Sequence, residues 1–280
     1  MVFGFDGFRA IGGTTISLDI GYVATIAALK NTTTRNRTQA NFDAAVLQYI
    51  ASAQSAGLQV EALAGDAVWI QPTKRSATVF LMDYVAAFNT NAPTMKFTGL
   101  QFDLEPWVLP TWAHSPVAPT TQWLDTVAAL AAKQAATAAS NRTPLTFVVP
   151  FWLDGSAAPK TLSYGGISAS PTAHIIRMLD NGAGQSNAVS VMAYRDFVAG
   201  SNGSAALSAT EMTLADATNG RVKAIIAQEV SNVEPANITF WQEGRSAMVG
   251  AMIELHAAYG TRPSFGGFAV NDFRSLVLLA

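Results

Sequence analysis

The sequence predicts an α/β fold of the (β/α)8 barrel type, with parallel strands and residues 1–280 forming a single catalytic domain. Three observations lead there. First, apolar strand-like runs alternate with helix-like runs along the chain, the order that builds a parallel sheet covered on both faces. Second, strands are expected near residues 16, 58, 98, 145, 188, 222 and 266, with an eighth, short or irregular, within Met1 to Arg9. That many units in 280 residues suits a barrel better than a doubly wound sheet. Third, no G-x-G-x-x-G follows the first strand and no G-x-x-x-x-G-K-[ST] occurs, so the nucleotide-binding alternative lacks its loop.

Taken in order, residues 14–20 alternate and read as a strand. Tyr22 to Leu29 is a short apolar helix and Asn31 to Arg37 a polar loop. Phe42 to Ala56 is amphipathic, with Phe42, Val46, Tyr49 and Ile50 at helical spacing and Gly57 as its C-cap. Leu58 to Leu63 is a strand, and Ser76 to Asn89 a helix with Val79, Phe80, Met82, Tyr84 and Val85 available to a core. The Thr98–Glu105 strand follows, then a long loop from Pro106 to Thr120 carrying Trp107, Trp112 and His114. Thr121 to Ala139 is an Ala-rich helix, Leu145 to Trp152 an apolar strand, and the Gly/Ser-rich stretch to Ser170 a loop. Pro171 to Leu179 is a short helix, Ala188 to Tyr194 a strand, Ala205 to Ala217 a helix and Val222 to Glu229 a strand. Phe240 to Tyr259 is a long helix, and Gly266 to Asn271 the last strand.

Composition narrows the function. Half the residues are hydrophobic and 13% are charged, enough for a sizeable core. The net charge of −2, without basic runs, lacks the footprint of a nucleic-acid binder. No cysteine is present, which removes disulfides, thiolate nucleophiles and Cys-based metal sites. His114, His174 and His256 are scattered without an i, i+4 pair and read as structural or solvated, so no metal or cofactor is expected. No apolar run is long enough to span a membrane. The N-terminus does not read as a signal peptide. Asn-x-Ser/Thr triplets at Asn31, Asn36, Asn141, Asn202 and Asn237 suit an exported protein. Extracellular or secreted localisation is the expectation, with a cytoplasmic one left open.

The chemistry centres on Phe97 to Trp107, Phe-Thr-Gly-Leu-Gln-Phe-Asp-Leu-Glu-Pro-Trp. At period two, Gln101, Asp103 and Glu105 share one face of a strand and Leu100, Phe102 and Leu104 the other. At about 3.3 Å per residue the two carboxylates sit roughly 6–7 Å apart. Charges that close repel, so one acid is expected to keep its proton to higher pH than usual. Pro106 cannot donate to a ladder, which puts Glu105 at the strand's C-terminal tip, where barrels keep their chemistry. The remaining tips bring Asp66, Trp152, Tyr194, Arg195, Asp196, Gln228, Glu229 and Asn271. Acids, amides and aromatics recurring at tip after tip suit sugars: flat rings stack on pyranose faces, and carboxylates bind hydroxyls or perform acid/base cleavage. Trp69, Trp112, Trp123 and Trp241 read instead as packing. Arg195 and Asp196 are equally suited to pairing with each other on the rim. Lys223, at the start of its strand, is at the wrong end for a Schiff-base enzyme.

The run Gly99-Leu-Gln-Phe-Asp103-Leu-Glu105 resembles the fourth-strand Asp-Gly-x-Asp-x-Asp-x-Glu motif of glycoside hydrolase family 18, the chitinase-like barrels. Met192-Ala-Tyr194 resembles that family's sixth-strand Met-x-Tyr, and 265–270 fits its last strand loosely. The resemblance implies Glu105 as general acid, Asp103 as the group that orients the substrate's acetamide for internal attack, and Tyr194 as a hydrogen-bond partner of that acetamide. Gln101 and Arg195 depart from the pattern, standing where Asp is usual. A second layout is similar to retaining glycosidase barrels, with Glu105 as acid/base and Glu229 as nucleophile. In either layout Trp107, Trp152, Arg195, Asp196, Asp66, Gln228 and Asn271 are candidate substrate contacts. The expected partner is a polysaccharide or oligosaccharide. A chitinase-like lectin, binding sugar without cleaving it, is the alternative.

Overall fold

Seven parallel strands form one curled sheet in a computed structural model that describes residues 5–155 and 158–279. The strands are β1 (Thr15–Asp19), β2 (Gln59–Ala64), β3 (Leu100–Phe102), β4 (Leu145–Pro150), β5 (Leu162–Tyr164), β6 (Ile167–Ala169), β7 (Asn187–Met192), β8 (Val222–Glu229) and β9 (Phe265–Asn271). The large sheet runs β1-β2-β3-β4-β7-β8-β9, and β5 with β6 makes a separate antiparallel hairpin. The helices are α1 (Phe5–Ala10), α2 (Tyr22–Ala27), α3 (Thr32–Ser55), α4 (Ser76–Asn91), α5 (Pro110–His114) and α6 (Val117–Ala136), then α7 (Pro171–Leu179), α8 (Ser204–Leu207), α9 (Ala209–Asp216), α10 (Gly244–Tyr259) and α11 (Phe273–Leu278). This is a (β/α)8-type barrel, as the order of apolar runs predicts.

Strand periodicity sorts the side chains into two layers. Phe102, Phe147, Val189 and Ala224 lie in register across β3, β4, β7 and β8 and are buried beneath the helices. The rings of Phe102 and Phe147 stack at 5.6 Å. The opposite face carries Gln101, Thr146, Ala188 and Lys223 in one register row, and this inner face ends in the tip residues. At the strands' N-terminal end, polar pairs fix the helices. Gln134 on α6 and Asn187 on β7 exchange side-chain hydrogen bonds of 2.7 and 2.9 Å, and Arg221 meets Asp180 at 2.7 Å.

Among the described residues β1 and β9 end the sheet, each paired on one side. Aromatic contacts draw the seam together: Phe5 and Phe8 on α1 meet Phe273 on α11 at 6.0 and 5.9 Å, and Phe5 meets Tyr49 on α3 at 5.6 Å. A cavity of about 440 Å³ lies along β1 and α3, lined by Leu18, Phe42 and Tyr49 among others. Of the stretch expected to hold an eighth strand, Phe5–Ala10 is helical, and Met1 to Gly4 lie outside the described residues.

Several boundaries differ from expectation for identifiable reasons. The loop expected at Asn31–Arg37 is the first turn and a half of α3, because the Asn31 side chain accepts a hydrogen bond from Thr34 N at 2.9 Å and caps the helix. The long loop after Glu105 holds a 3₁₀ turn at Pro106–Val108, then α5 and the start of α6. Pro106 and Pro110 occupy first-turn positions, where a missing N–H costs nothing. The loop after β4 contains the β5–β6 hairpin, turned by Gly165 and Gly166 at φ +58° and +76°. The ladder of β3 is only three residues long, although Asp103 N still donates to Ala64 O at 3.1 Å. The helix expected at 205–217 is interrupted at Ser208, and α10 begins at Gly244.

Candidate active site

Asp103 and Glu105 leave β3 on the inner face, while Leu100, Phe102 and Leu104 are buried on the other, as the alternation requires. Two local features hold this tip. Gly65, ending β2, lets the Asp103 backbone come close: a Cβ at Gly65 would stand 2.0 Å from the Asp103 carbonyl oxygen. Pro106 then opens the 3₁₀ turn, and Val108 N donates to Glu105 O at 3.2 Å. The acid pair is thus fixed from both sides.

Both acids are half-buried, and both hold their protons more tightly than usual. Burial, then the charge of Glu105, pushes the Asp103 carboxyl up to about 7. Burial raises Glu105. Asp103 Oδ1 is shielded from solvent and has no hydrogen-bond partner among the described residues.

Register brings the other tips to the same place. Met192 pairs with Ala227, so Tyr194 and Glu229, two residues further along, share the inner face, and Glu229 is in register with Asn271. Burial raises the Tyr194 phenol, helped by the charges of Glu229, Asp103 and Glu105 in that order. One hydroxyl therefore lies within the field of all three acids, and at neutral pH it is a hydrogen-bond donor.

Glu229 is held differently. Its Oε1 accepts from Val230 N at 2.9 Å and Ser231 N at 2.6 Å, and its Oε2 accepts from Asn271 Nδ2 at 2.6 Å. Asn271 thus contacts an acid of the barrel. Gln228 takes the opposite face of β8, is fully buried, and does not reach the mouth; neither amide atom has a partner among the described residues.

Aromatics collect beside Glu105. Trp107 meets Trp152 edge-on at 5.3 Å and Trp123 at 5.8 Å, and Trp112 meets Trp152 at 6.1 Å. Trp123 is core, whereas Trp107, Trp112 and Trp152 are partly exposed. The sequence reading treats Trp112 as packing, yet it extends the same cluster; its signal was the short spacing to Trp107. Arg195 lies over the Phe151 ring at 5.1 Å and donates to Tyr194 O at 2.6 Å and Asn202 Oδ1 at 3.0 Å. It makes no ion pair with Asp196 among the described residues. Asp196 N donates to Asn237 O at 3.3 Å. Asp66 is exposed and caps the Ala67–Ile70 turn through Val68 N at 3.0 Å. His174 is buried, its ring nitrogens held by Leu162 O and Arg177. No group of three or more His, Asp or Glu that could hold a metal occurs among the described residues.

No protein-family model and no curated protein matches this chain. Solved structures do. A family GH18 chitinase from Cycas revoluta in complex with allosamidin aligns at TM-score 0.56 with 12% identity, covering 99% of this chain and 92% of that one. The GH18 chitinase from Cycas revoluta in complex with (GlcNAc)3 gives the same values. A fungal β-1,4-galactanase structure aligns at 0.50 with 10% identity, over 95% of this chain and 80% of that one. At such identities the likeness establishes the barrel fold, and these neighbours are glycosidases. No helix among the described residues is long and apolar enough to cross a membrane.

Proposed function

We propose that residues 1–280 form one catalytic domain, a glycoside hydrolase that cleaves an oligosaccharide or polysaccharide containing N-acetylated sugars. Glu105 is the proton donor and Asp103 its partner. The observation that carries this reading is the convergence of Asp103, Glu105 and the Tyr194 phenol at one barrel mouth, with both acids held above the usual carboxylate range. A general acid works best when its proton is still present near neutrality, and burial of Glu105 acts in that direction.

In the proposed reaction Glu105 gives its proton to the bridging oxygen as the C1–O bond breaks. The substrate's acetamide oxygen attacks C1, and Asp103 accepts a hydrogen bond from the acetamide N–H. Tyr194 donates its hydroxyl proton to the acetamide oxygen, which aligns it for attack. Water then opens the cyclic intermediate, returning a proton to Glu105. Trp107, Trp112 and Trp152 supply stacking surface on the β3–β4 side of the mouth. The layout with Glu229 as nucleophile is less well supported, because its oxygens already accept three hydrogen bonds. Asn271 is engaged with Glu229, and Gln228 is buried on the helix side of β8.

A glycan panel with product analysis tests the reading. Release of shorter products from N-acetylhexosamine oligomers is the expected result. Saturable binding without products would make the chain a lectin, and neither binding nor products would remove the assignment.

A further inference from the structure

Glu211, in the first turn of α9, is fully buried, and neither carboxyl oxygen has a hydrogen-bond partner on another of the described residues. The proposed chemistry does not use it. Helix α9 packs on α7, and α7 packs on the turn Phe151–Asp154 that follows β4. Asp154, on that turn, is the acid whose charge acts on Glu211. We propose that Glu211 is a proton-controlled latch for this turn: with its proton it lets α9, α7 and the turn stay packed, and without it the turn is pushed off the helices, loosening the aromatic side of the mouth.

Three elements surround the Glu211 carboxyl with polar groups. From α10 the titratable neighbour is Tyr259, whose hydroxyl donates to Ala205 O at 2.6 Å. From α7, His174 is buried with its ring committed to Leu162 and Arg177. From β8 the buried polar group on the helix side is the neutral Gln228. None of these supplies a cation to an ionised Glu211. Burial holds its proton up to about 8; its own backbone hydrogen bond favours the ionised form, and the Asp154 charge acts on the same side as burial. The neutral acid is tolerable in that layer. Once ionised, it is a buried charge with no compensating cation among the described residues, beside a second carboxylate, an arrangement that relaxes by separation and water entry.

Which side moves follows from the anchoring. The far end of α9 is tied down: Asp216 accepts from Arg262 Nε at 2.5 Å and from Ser264 N at 3.3 Å. The turn is the freer partner: Asp154 is only partly buried and has no ion pair among the described residues. Trp152 on that turn packs on Trp107 and Trp112, and Phe151 supports Arg195. Displacement would thus be visible in tryptophan signals. The inference concerns this mouth whatever reaction it hosts, and its test does not use turnover, so it stands or fails apart from the glycosidase reading.

The test is near-UV circular dichroism and tryptophan emission of the full chain from roughly pH 6 to pH 10, read beside far-UV signal. In the wild type the aromatic signal is expected to fall with a midpoint near 8 while far-UV signal holds. Glu211→Gln, which cannot ionise, should keep its aromatic signal across the range. Asp154→Asn removes the charge that raises Glu211, so its midpoint should move to lower pH. A flat wild-type profile, or a Glu211→Gln variant that keeps the wild-type transition, overturns the proposal. Should Glu211→Gln fail to fold, the Asp154→Asn midpoint decides alone: a downward move supports the latch, and no move overturns it.

Discussion

Two acid-bearing strand tips, those of β3 and β8, stand at the mouth of this barrel, and they are treated in opposite ways. At the end of β8, Glu229 is gripped by two backbone N–H groups and the Asn271 amide. At the end of β3, Asp103 keeps one shielded oxygen without a partner among the described residues, and Glu105 sits beside it at the head of a proline-fixed turn. Satisfied polar groups rigidify a fold, whereas a buried group left unsatisfied is destabilising unless something else engages it. The contrast teaches that β8 is the braced tip of the mouth, and it is the ground on which we propose the β3 tip as the reacting one.

Mutations can sharpen or break that contrast. The largest effect is expected from Glu105→Gln, which removes the transferable proton: kcat on an N-acetylated oligosaccharide should fall by about 10³-fold with the melting temperature nearly unchanged, since general acid catalysis contributes roughly 10²–10⁴-fold. Next, Tyr194→Phe should lower kcat by about 10-fold, the loss of one hydrogen bond of about 1–1.5 kcal/mol in the transition state. At β8 the readout should invert. Asn271→Ala leaves a Glu229 oxygen without its donor, so stability should fall by about 1–3 kcal/mol while kcat changes less than in Tyr194→Phe. Denaturant titration beside steady-state kinetics separates these patterns. A Glu229→Gln variant as inactive as Glu105→Gln, yet fully stable, would revive the nucleophile layout.

The smallest expected effects are titrations. Asp103 should titrate near 7, and in Glu105→Gln its carboxyl should titrate lower, because the neighbouring charge is gone while burial persists. Carboxyl ¹³C shifts report this directly. Stability follows the same sign. Asp103 and Glu211 have folded values of about 7 and about 8 against 3.8 and 4.5 for the free groups. The folded chain therefore binds more protons than the unfolded one between those limits. Their contribution is fully present below about pH 4 and is lost as pH rises to about 8. The melting temperature should fall across that window, and Glu211→Gln should flatten the slope.

Much of this was legible in the sequence because period-two alternation leaves little choice. Leu100, Phe102 and Leu104 had to be buried together, which sent Gln101, Asp103 and Glu105 to the other face. The recurrence of strands and helices was equally readable. Cap chemistry was less so: a Thr- and Asn-rich run after Leu29 looks like a loop until the Asn31 side chain is seen closing the first turn of α3. Gln228 and Glu229 are adjacent in sequence, and only the register with Val270 and Asn271 shows which one faces the mouth. Glu211 lies in an otherwise ordinary helix, and nothing in its spacing announces a buried acid.

The proton-donor role of Glu105 is tested most directly by comparing leaving groups. Wild type and Glu105→Gln are assayed on an N-acetylhexosamine oligosaccharide and on the corresponding dinitrophenyl glycoside, whose phenolate departs without protonation. The account expects Glu105→Gln to lose nearly all activity on the oligosaccharide while keeping most of it on the activated glycoside. Equal losses on both substrates, or none on either, would contradict it.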